Sequence, residues 1–116
     1  MHELSITEAI LSSALDEAKK NNATRIISIS LDMGELSSVV PECVQEYFDM
    51  LSEGTIAHDA LLNFNLIRSL LKCRCCDNEF HMEHMRLRCP KCNSQNVDII
   101  KGKEFNIRQL EIEQED

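Results

Sequence analysis

Two cysteine pairs constrain this chain more than any other feature of its sequence. Each pair has the spacing Cys-x-x-Cys, and twelve residues separate them. The four cysteines are Cys73, Cys76, Cys89 and Cys92. Two turns of this spacing can direct four thiolates at one ion, giving a tetrahedral shell that suits Zn²⁺ and leaves no open coordination position. The spacing therefore predicts a structural zinc ion in a ribbon at about residues 72–94, whose folding free energy comes mainly from metal binding.

Other possible ligands lie near these pairs. Cys75 competes on paper with Cys76, but the four-residue turn favours Cys76, so we expect Cys75 to be a free, partly exposed thiol. Cys43 is expected to be a small buried hydrophobic residue. His81 and His84 have i, i+3 spacing and could bind a second metal. The favoured interpretation is that both histidines are solvated, because the four cysteines already complete a shell.

Composition narrows the class of protein. The 116 residues carry a net charge of −8, which argues against broad attraction to nucleic acid or anionic membranes. No stretch is long and apolar enough to span a bilayer. The opening residues 1–5 have neither the basic nor the apolar region of a signal peptide, so the six cysteines favour metal binding in a cytoplasmic protein over disulfides.

Hydrophobic periodicity predicts the elements before the ribbon. Ser5-Ile6-Thr7-Glu8 has capping-box spacing and predicts a helix at about 6–20 with Ser5 as its N-cap. Alternation over 27–33 predicts a half-buried strand. A second helix opens near Pro41 and is closed by Gly54, and a second strand covers 62–66.

Strand pattern returns after the ribbon, with a turn at 101–103. The alternation slips by one residue after Ile107, which predicts a β-bulge near Arg108-Gln109. The predicted fold is α+β, with two helices packed on a small mixed three-stranded sheet and an inserted Cys₄ zinc ribbon. Residues 1–67 plus 99–116 would form the α+β domain, and 68–98 the ribbon.

The amino terminus is a second chemical feature. His2 is large, so Met1 should be retained with a free α-amine. That amine, the His2 backbone nitrogen and the His2 imidazole can form fused chelate rings around one ion. The backbone nitrogen or carboxylate of Glu3 could complete a planar set, and planar nitrogen-rich sites suit Ni(II) or Cu(II). The competing interpretation is an exposed side chain on a frayed terminus.

The order and spacing of these motifs resemble the HypA/HybF family of nickel-insertion accessory proteins along the whole chain. The shared segments are Met1-His2-Glu3-Leu4-Ser5, Gly34-Glu35-Leu36, Val40-Pro41-Glu42, Gly54-Thr55-Ile56-Ala57, the two cysteine pairs and the pattern from Ile107 to Glu113. Cys75 and His58 depart from the pattern, and Asp77 and Asn93 stand where glycine is frequent.

The resemblance implies a nickel metallochaperone that helps to insert nickel into the large subunit of [NiFe]-hydrogenase. It implies nickel ligands at His2, the Met1 amine and the region of Glu3, and zinc ligands at Cys73, Cys76, Cys89 and Cys92. The implied partners are a HypB-type GTPase, the hydrogenase large subunit and, for some members, urease maturation proteins.

Two other function classes compete with this one. A nucleic-acid- or protein-binding zinc-ribbon adaptor is the alternative, but the net formal charge of Arg68 to Cys92 is only about +1 once four thiolates and Zn²⁺ are counted. Phe80 is the only aromatic residue there for base stacking. Catalysis is not expected, because no nucleophile–base pairing or phosphate loop stands out and a closed zinc shell has no Lewis-acid position.

Overall fold

The computed structural model describes residues 3–83 and 86–114, which form two helices and six strands. The helices are α1 (Glu3–Lys20) and α2 (Pro41–Leu51). The strands are β1 (Ala23–Gly34), β2 (Leu61–Ile67), β3 (Leu70–Cys73), β4 (Glu79–Phe80), β5 (Val97–Lys101) and β6 (Phe105–Gln114). None of the helices in these ranges is long and apolar enough to cross a membrane.

The chain separates into two compact units. The helical unit comprises Met1–Asp32, Val39–Asn65 and Asn106–Asp116, and the ribbon unit comprises Met33–Ser38 and Leu66–Phe105. Residues 33–38 and 99–105 thus lie in the ribbon unit, whereas the sequence-based division assigned them elsewhere. The reason is hydrogen bonding at long sequence separation: the amide of Leu36 donates to the carbonyl of Gly102, and β5 pairs with β3.

The core of the helical unit is aliphatic apart from Phe48. Helix α1 buries one stripe with helical spacing, formed by Ile10, Leu11, Ala14 and Ala18. It packs on α2, which buries Val44 and Phe48. From β1 the buried side chains are Ile26, Ile29 and Leu31. Ile26 is fully buried, whereas Ile27, which the alternation placed on the apolar face, is half-buried.

The start of α1 differs from the prediction. The described helix already includes Glu3, so Ser5 lies within its first turn and is not its N-cap. Thr7 donates from its hydroxyl to the carbonyl of Glu3, 2.5 Å away. The capping-box interpretation was wrong because the Ser-x-x-Glu spacing also occurs within a helix, and the backbone is already helical two residues before Ser5.

β1 is the central strand of the first sheet, whose order is β2-β1-β6. Thr24 donates to the carbonyl of Glu113, and the amide of Gly34 donates to the carbonyl of Glu104. As residue numbers increase along β1, the residue numbers of their partners along β6 decrease. The two strands are therefore antiparallel.

On its other side, β1 runs parallel to β2. Asn65 donates to the carboxylate of Asp32 at 3.0 Å, and the amide of Glu35 donates to the carbonyl of Ile67 at 2.9 Å. The predicted mixed three-stranded sheet with two helices is thereby confirmed. Leu66, predicted to share the apolar face of β2, is instead exposed.

β6 carries the predicted slip in alternation. Phe105 and Ile107 are half-buried, Arg108 and Gln109 are both exposed, and alternation then resumes with half-buried Leu110. The β-bulge at this point stays a prediction.

The ribbon unit contains a second, antiparallel sheet of order β4-β3-β5. Leu71 is fully buried and lies opposite both Phe80 of β4 and Ile99 of β5. This sheet places the end of β3, at Cys73, beside the start of β5.

Candidate metal centre

Each cysteine pair forms a tight turn with the same hydrogen bonds. In the first turn, the amide of Asp77 donates to the carbonyl of Cys73 at 3.0 Å. In the second, the amide of Asn93 donates to the carbonyl of Cys89 at 2.8 Å. Asp77 and Asn93 have φ values of 59° and 63°. Asp and Asn tolerate this left-handed conformation better than other non-glycine residues, which explains why the turns form without glycine.

Backbone amides also point at the sulfurs inside these turns. The amide of Cys75 donates to Cys73 Sγ, and the amide of Lys91 donates to Cys89 Sγ, each at 3.4 Å. The side-chain amide of Asn78 lies 3.7 Å from Cys89 Sγ. Such donors stabilise thiolates over thiols. Spacing alone did not identify Asn78, because its role depends on a sulfur eleven residues away.

The two turns bring the four predicted zinc ligands together. Their sulfurs all lie within 4.8 Å of one another. Cys73 Sγ is 3.5 Å from Cys92 Sγ, and Cys76 Sγ is 3.6 Å from Cys89 Sγ. A tetrahedral Zn–S₄ centre with bonds of about 2.3 Å needs sulfurs about 3.8 Å apart. The donor set therefore fits a four-coordinate ion with soft ligands.

The cysteine thiols of this cluster differ in acidity: the pKa values of Cys73 and Cys89 are lowered and those of Cys76 and Cys92 are raised. Burial opposes ionisation of Cys89, but amide hydrogen bonds from Cys92 and Lys91 lower its pKa to about 6. An amide hydrogen bond from Ser94 favours the Cys92 thiolate, yet donation to Cys73 and burial together raise the pKa of Cys92 to about 12. A bound cation would displace the remaining protons from this tetrad.

The nearby candidates occupy other places. Cys75 is exposed, with its Sγ 3.3 Å from Ser94 Oγ and outside the cluster of four sulfurs. The imidazole Nδ1 of His81 donates to the carbonyl of Ser69 at 2.5 Å. His84 lies outside the described residues. Cys43 is half-buried on α2, so it is less enclosed than expected.

Of the predicted nickel ligands, only Glu3 is among the described residues; Met1 and His2 lie outside them. Glu3 is the first described residue of α1, and it is buried despite its charge. Its Oε2 accepts a hydrogen bond from the backbone amide of Val40, the N-cap of α2, at 3.4 Å. A carboxylate at a helix N-terminus is stabilised by the helix dipole, which offsets its burial.

Comparison with known sequences identifies the protein family of this chain. Residues 1–112 match the model of a family described as "Hydrogenase/urease nickel incorporation, metallochaperone, hypA". The chain belongs to the HypA family. Its resemblance to that family, and its function as a nickel metallochaperone of hydrogenase maturation, are thereby confirmed.

Individual relatives agree over almost their whole length. The hydrogenase maturation factor HypA of Caldanaerobacter subterraneus subsp. tengcongensis is 39% identical over 114 residues, covering 97% of this chain and all of the relative. That of Dehalococcoides mccartyi strain 195 is 41% identical over 115 residues, covering 99% and 97%. The solution structure of the Ni metallochaperone HypA from Helicobacter pylori matches with a TM-score of 0.74 at 29% identity, covering 99% of this chain and 100% of that one.

Proposed function

We propose that this HypA-family chain binds Ni(II) as cargo at its amino terminus, through the Met1 amine, the backbone nitrogen and imidazole of His2, and Glu3. It then passes the ion to the large subunit of [NiFe]-hydrogenase. Its zinc ion, held by Cys73, Cys76, Cys89 and Cys92, is structural. The proposal assigns the two metals to separate sites with different ligand chemistry.

The match of residues 1–112 to a nickel-incorporation family carries this proposal, and the contact between Glu3 and Val40 indicates which atom of Glu3 is the ligand. The Glu3 carboxylate already accepts a hydrogen bond from α2, so it is a poor candidate for the fourth nickel ligand. The Glu3 amide, by contrast, belongs to the first turn of α1, where backbone N–H groups have no acceptor within the helix, so its proton can be released to solvent when the nitrogen binds Ni(II) without breaking a helix hydrogen bond. We therefore assign the fourth position to the Glu3 backbone nitrogen, with the side chain as its anchor.

A carrier must also release its ion. A site built from a chain terminus has few surrounding contacts to break, and protonation of the amine or of His2 weakens it, so nickel affinity should fall with acid. The four-cysteine shell has no open position and offers no Lewis-acid chemistry. The chain acts in this proposal as a carrier, not as a catalyst.

The proposed partners follow from the family. We propose a HypB-type GTPase and the hydrogenase large subunit as partners. Urease maturation proteins are proposed as further partners, because the family description names both hydrogenase and urease. The proposed place of action is the cytoplasm, and neither nucleic acid nor membrane is among the proposed partners.

Isothermal titration of Ni(II) into the zinc-loaded protein tests the nickel site. We expect His2→Ala to weaken nickel binding by more than about a hundredfold, because loss of a direct ligand exceeds the usual effect of losing an outer-shell partner. Blocking the amine by adding Gly-Ser before Met1 should have a similar effect. The absorption bands of planar Ni(II) should disappear in both variants.

His58→Ala is the matched control, because His58 is an exposed histidine of the helical unit paired with Asp59 at 3.6 Å. It should leave nickel binding unchanged. Undiminished affinity in the His2→Ala variant would refute the proposed site.

A further inference from the structure

Charge is distributed unevenly along this chain. The ribbon unit, Met33–Ser38 with Leu66–Phe105, contains eight Lys/Arg and six Asp/Glu, whereas the rest of the chain contains four and fourteen. The net charge of −8 therefore arises outside the ribbon unit. The formal side-chain charge of the ribbon unit is +2 before the cysteine thiolates and zinc are counted.

A cavity of about 290 Å³ lies on the ribbon unit, next to the second cysteine turn. Its basic lining residues are Arg86 and Arg88, and its apolar lining residues include Phe80 and Pro90. Glu83 is the one carboxylate among the described lining residues. The cavity thus combines two permanent positive charges with apolar surface.

Both guanidinium groups are available. Within residues 3–83 and 86–114, neither Arg86 nor Arg88 forms an ion pair. Arg74, in contrast, is held by Asp98, with 2.5 Å between Nη2 and Oδ1. Neither Arg86 nor Arg88 donates to a cysteine sulfur among the described contacts, so filling the metal site would not occupy them.

The cavity wall is fixed by backbone contacts. The amide of Arg86 donates to the carbonyl of Glu83 at 2.9 Å, and these two residues form an isolated β-bridge. His81 is oriented by donating from Nδ1 to the carbonyl of Ser69, a fully buried residue. These hydrogen bonds hold the backbone at Glu83 and Arg86 and the ring of His81 in place.

We propose that this cavity, with Arg86 and Arg88 at its edge, is a docking site for an acidic segment of a partner protein. Guanidinium groups bind carboxylates through paired hydrogen bonds, and Phe80 and Pro90 supply apolar contact for the segment's neighbouring side chains. The site goes beyond the proposed nickel function, because it binds a partner through the ribbon unit and requires no nickel.

A carboxylate-bearing protein fits better than nucleic acid. Binding a nucleic acid depends on neutralising several phosphates along a continuous basic track. Here two arginines flank one cavity, and Phe80 is a half-buried strand residue without a second aromatic residue for base stacking.

Titration of the ¹⁵N-labelled, zinc-loaded, nickel-free full chain with a capped Glu-Ala repeat peptide tests the site by NMR. We expect saturable shifts of amides between Phe80 and Asn93, absent with a Gln-Ala peptide. The double variant Arg86→Glu/Arg88→Glu should weaken peptide binding by about tenfold or more, because two exposed ion pairs are replaced by repulsion.

Lys101→Glu/Lys103→Glu is the matched control. It makes the same change in total charge on exposed residues of the ribbon unit outside the cavity, so it should alter the affinity by less than about threefold. Retained zinc and unchanged spectra outside the cavity would show that both variants are folded.

Four results would overturn the proposal. They are no saturable peptide binding, equal weakening by the two double variants, tighter binding of a poly-deoxythymidine oligonucleotide than of the acidic peptide, and binding of inorganic phosphate by a protein that does not bind the peptide. Since nickel is absent throughout, failure here leaves the nickel titrations unaffected, and the two proposals fail separately.

Discussion

The carboxylate of Glu3 accepts a hydrogen bond from the backbone amide of Val40 across 37 residues, with 3.4 Å between Oε2 and the nitrogen. This bond joins the first turn of α1 to the N-cap of α2, a position where α2 has no side-chain cap of its own. The Glu3 side chain therefore stabilises the fold next to the proposed nickel ligands. Its role can be tested separately from that of the Glu3 backbone nitrogen.

Substituting Glu3 with Gln separates these parts. Gln retains an oxygen acceptor for Val40 but loses the charge at the start of α2, which should lower the free energy of unfolding by about 0.3–1 kcal/mol. Nickel affinity should change by less than about threefold if the Glu3 backbone nitrogen is the ligand. Urea unfolding and nickel titration on the same samples measure both quantities.

Glu3→Ala provides the comparison, because it removes the acceptor and should destabilise the protein by about 1 kcal/mol or more, the usual effect of losing a cap. If Glu3→Gln abolished nickel binding while the fold was retained, the carboxylate would have to be the ligand.

A close approach of two glycines yields the second prediction. A Cβ added to Gly34 would lie 2.0 Å from the carbonyl oxygen of Gly102, so backbone would have to move. Gly34→Ala should therefore lower the free energy of unfolding by about 3 kcal/mol or more, at the upper end of overpacking effects. Urea unfolding of the zinc-loaded protein measures this loss.

Gly54→Ala is the control for this substitution. Gly54 has open space around its Cβ position and a φ of +78°, so only the left-handed backbone conformation opposes a side chain there. The expected loss is about 1–2 kcal/mol. An equal effect of the two substitutions would mean that the contact with Gly102 adds no cost.

Local patterns were sufficient for the two helices, for β1, β2, β5 and β6, and for the cysteine cluster, but they did not predict the short strands β3 and β4. A Cys-x-x-Cys turn closes within a few residues, so its geometry is already present in the sequence, as are the left-handed positions of Asp77 and Asn93. The helices and the mixed sheet followed from hydrophobic periodicity and order. These features depend on neighbours a few residues apart.

What the sequence left open depends on contacts far apart in the chain. Nothing near Glu3 indicates that its side chain reaches Val40, and the capping motif at Ser5 suggested a later helix start. The pairing of β5 with β3 puts residues 99–101 in the ribbon sheet, although their alternation equally suits a strand of the other sheet. Periodicity identifies a strand but not its neighbour.

The four-cysteine site yields the third prediction. Cys76→Ser should abolish tight zinc binding and unfold the ribbon, because metal binding supplies most of its folding free energy. NMR should show collapse of the amide signals of β3, β4 and β5, while metal analysis shows loss of zinc. The helical circular dichroism of α1 and α2 should persist.

Cys75→Ser is the matched control, made one residue away on an exposed thiol outside the sulfur cluster. It should retain one zinc per chain and a folded ribbon. If Cys75→Ser lost zinc and Cys76→Ser retained it, Cys75 and not Cys76 would be the zinc ligand.

The last prediction concerns acid stability and Glu35. The backbone amide of Ser69 donates to the Glu35 carboxylate, and this bond, opposed by burial and supported by the nearby charges of Arg68 and His81, lowers the pKa of Glu35 below its ordinary value of 4.5. The unfolded chain then binds more protons than the folded one in this pH range. The contribution of Glu35 is therefore complete above pH 4.5 and is lost as the pH falls through the lowered folded-state pKa.

The contribution of Glu35 to stability is measured by comparing the wild type with Glu35→Gln. Acid-induced loss of metal affects both proteins and therefore cancels in the difference. The stability advantage of the wild type should shrink steadily as the pH falls below 4.5, and NMR titration of the Glu35 carboxyl carbon should give the lowered pKa directly. Glu53→Gln, an exposed substitution just beyond α2, should show no such change in its difference from the wild type. A difference for Glu35→Gln that stayed constant or grew toward acid pH would contradict a lowered pKa, and the bond to Ser69 would then be absent in solution.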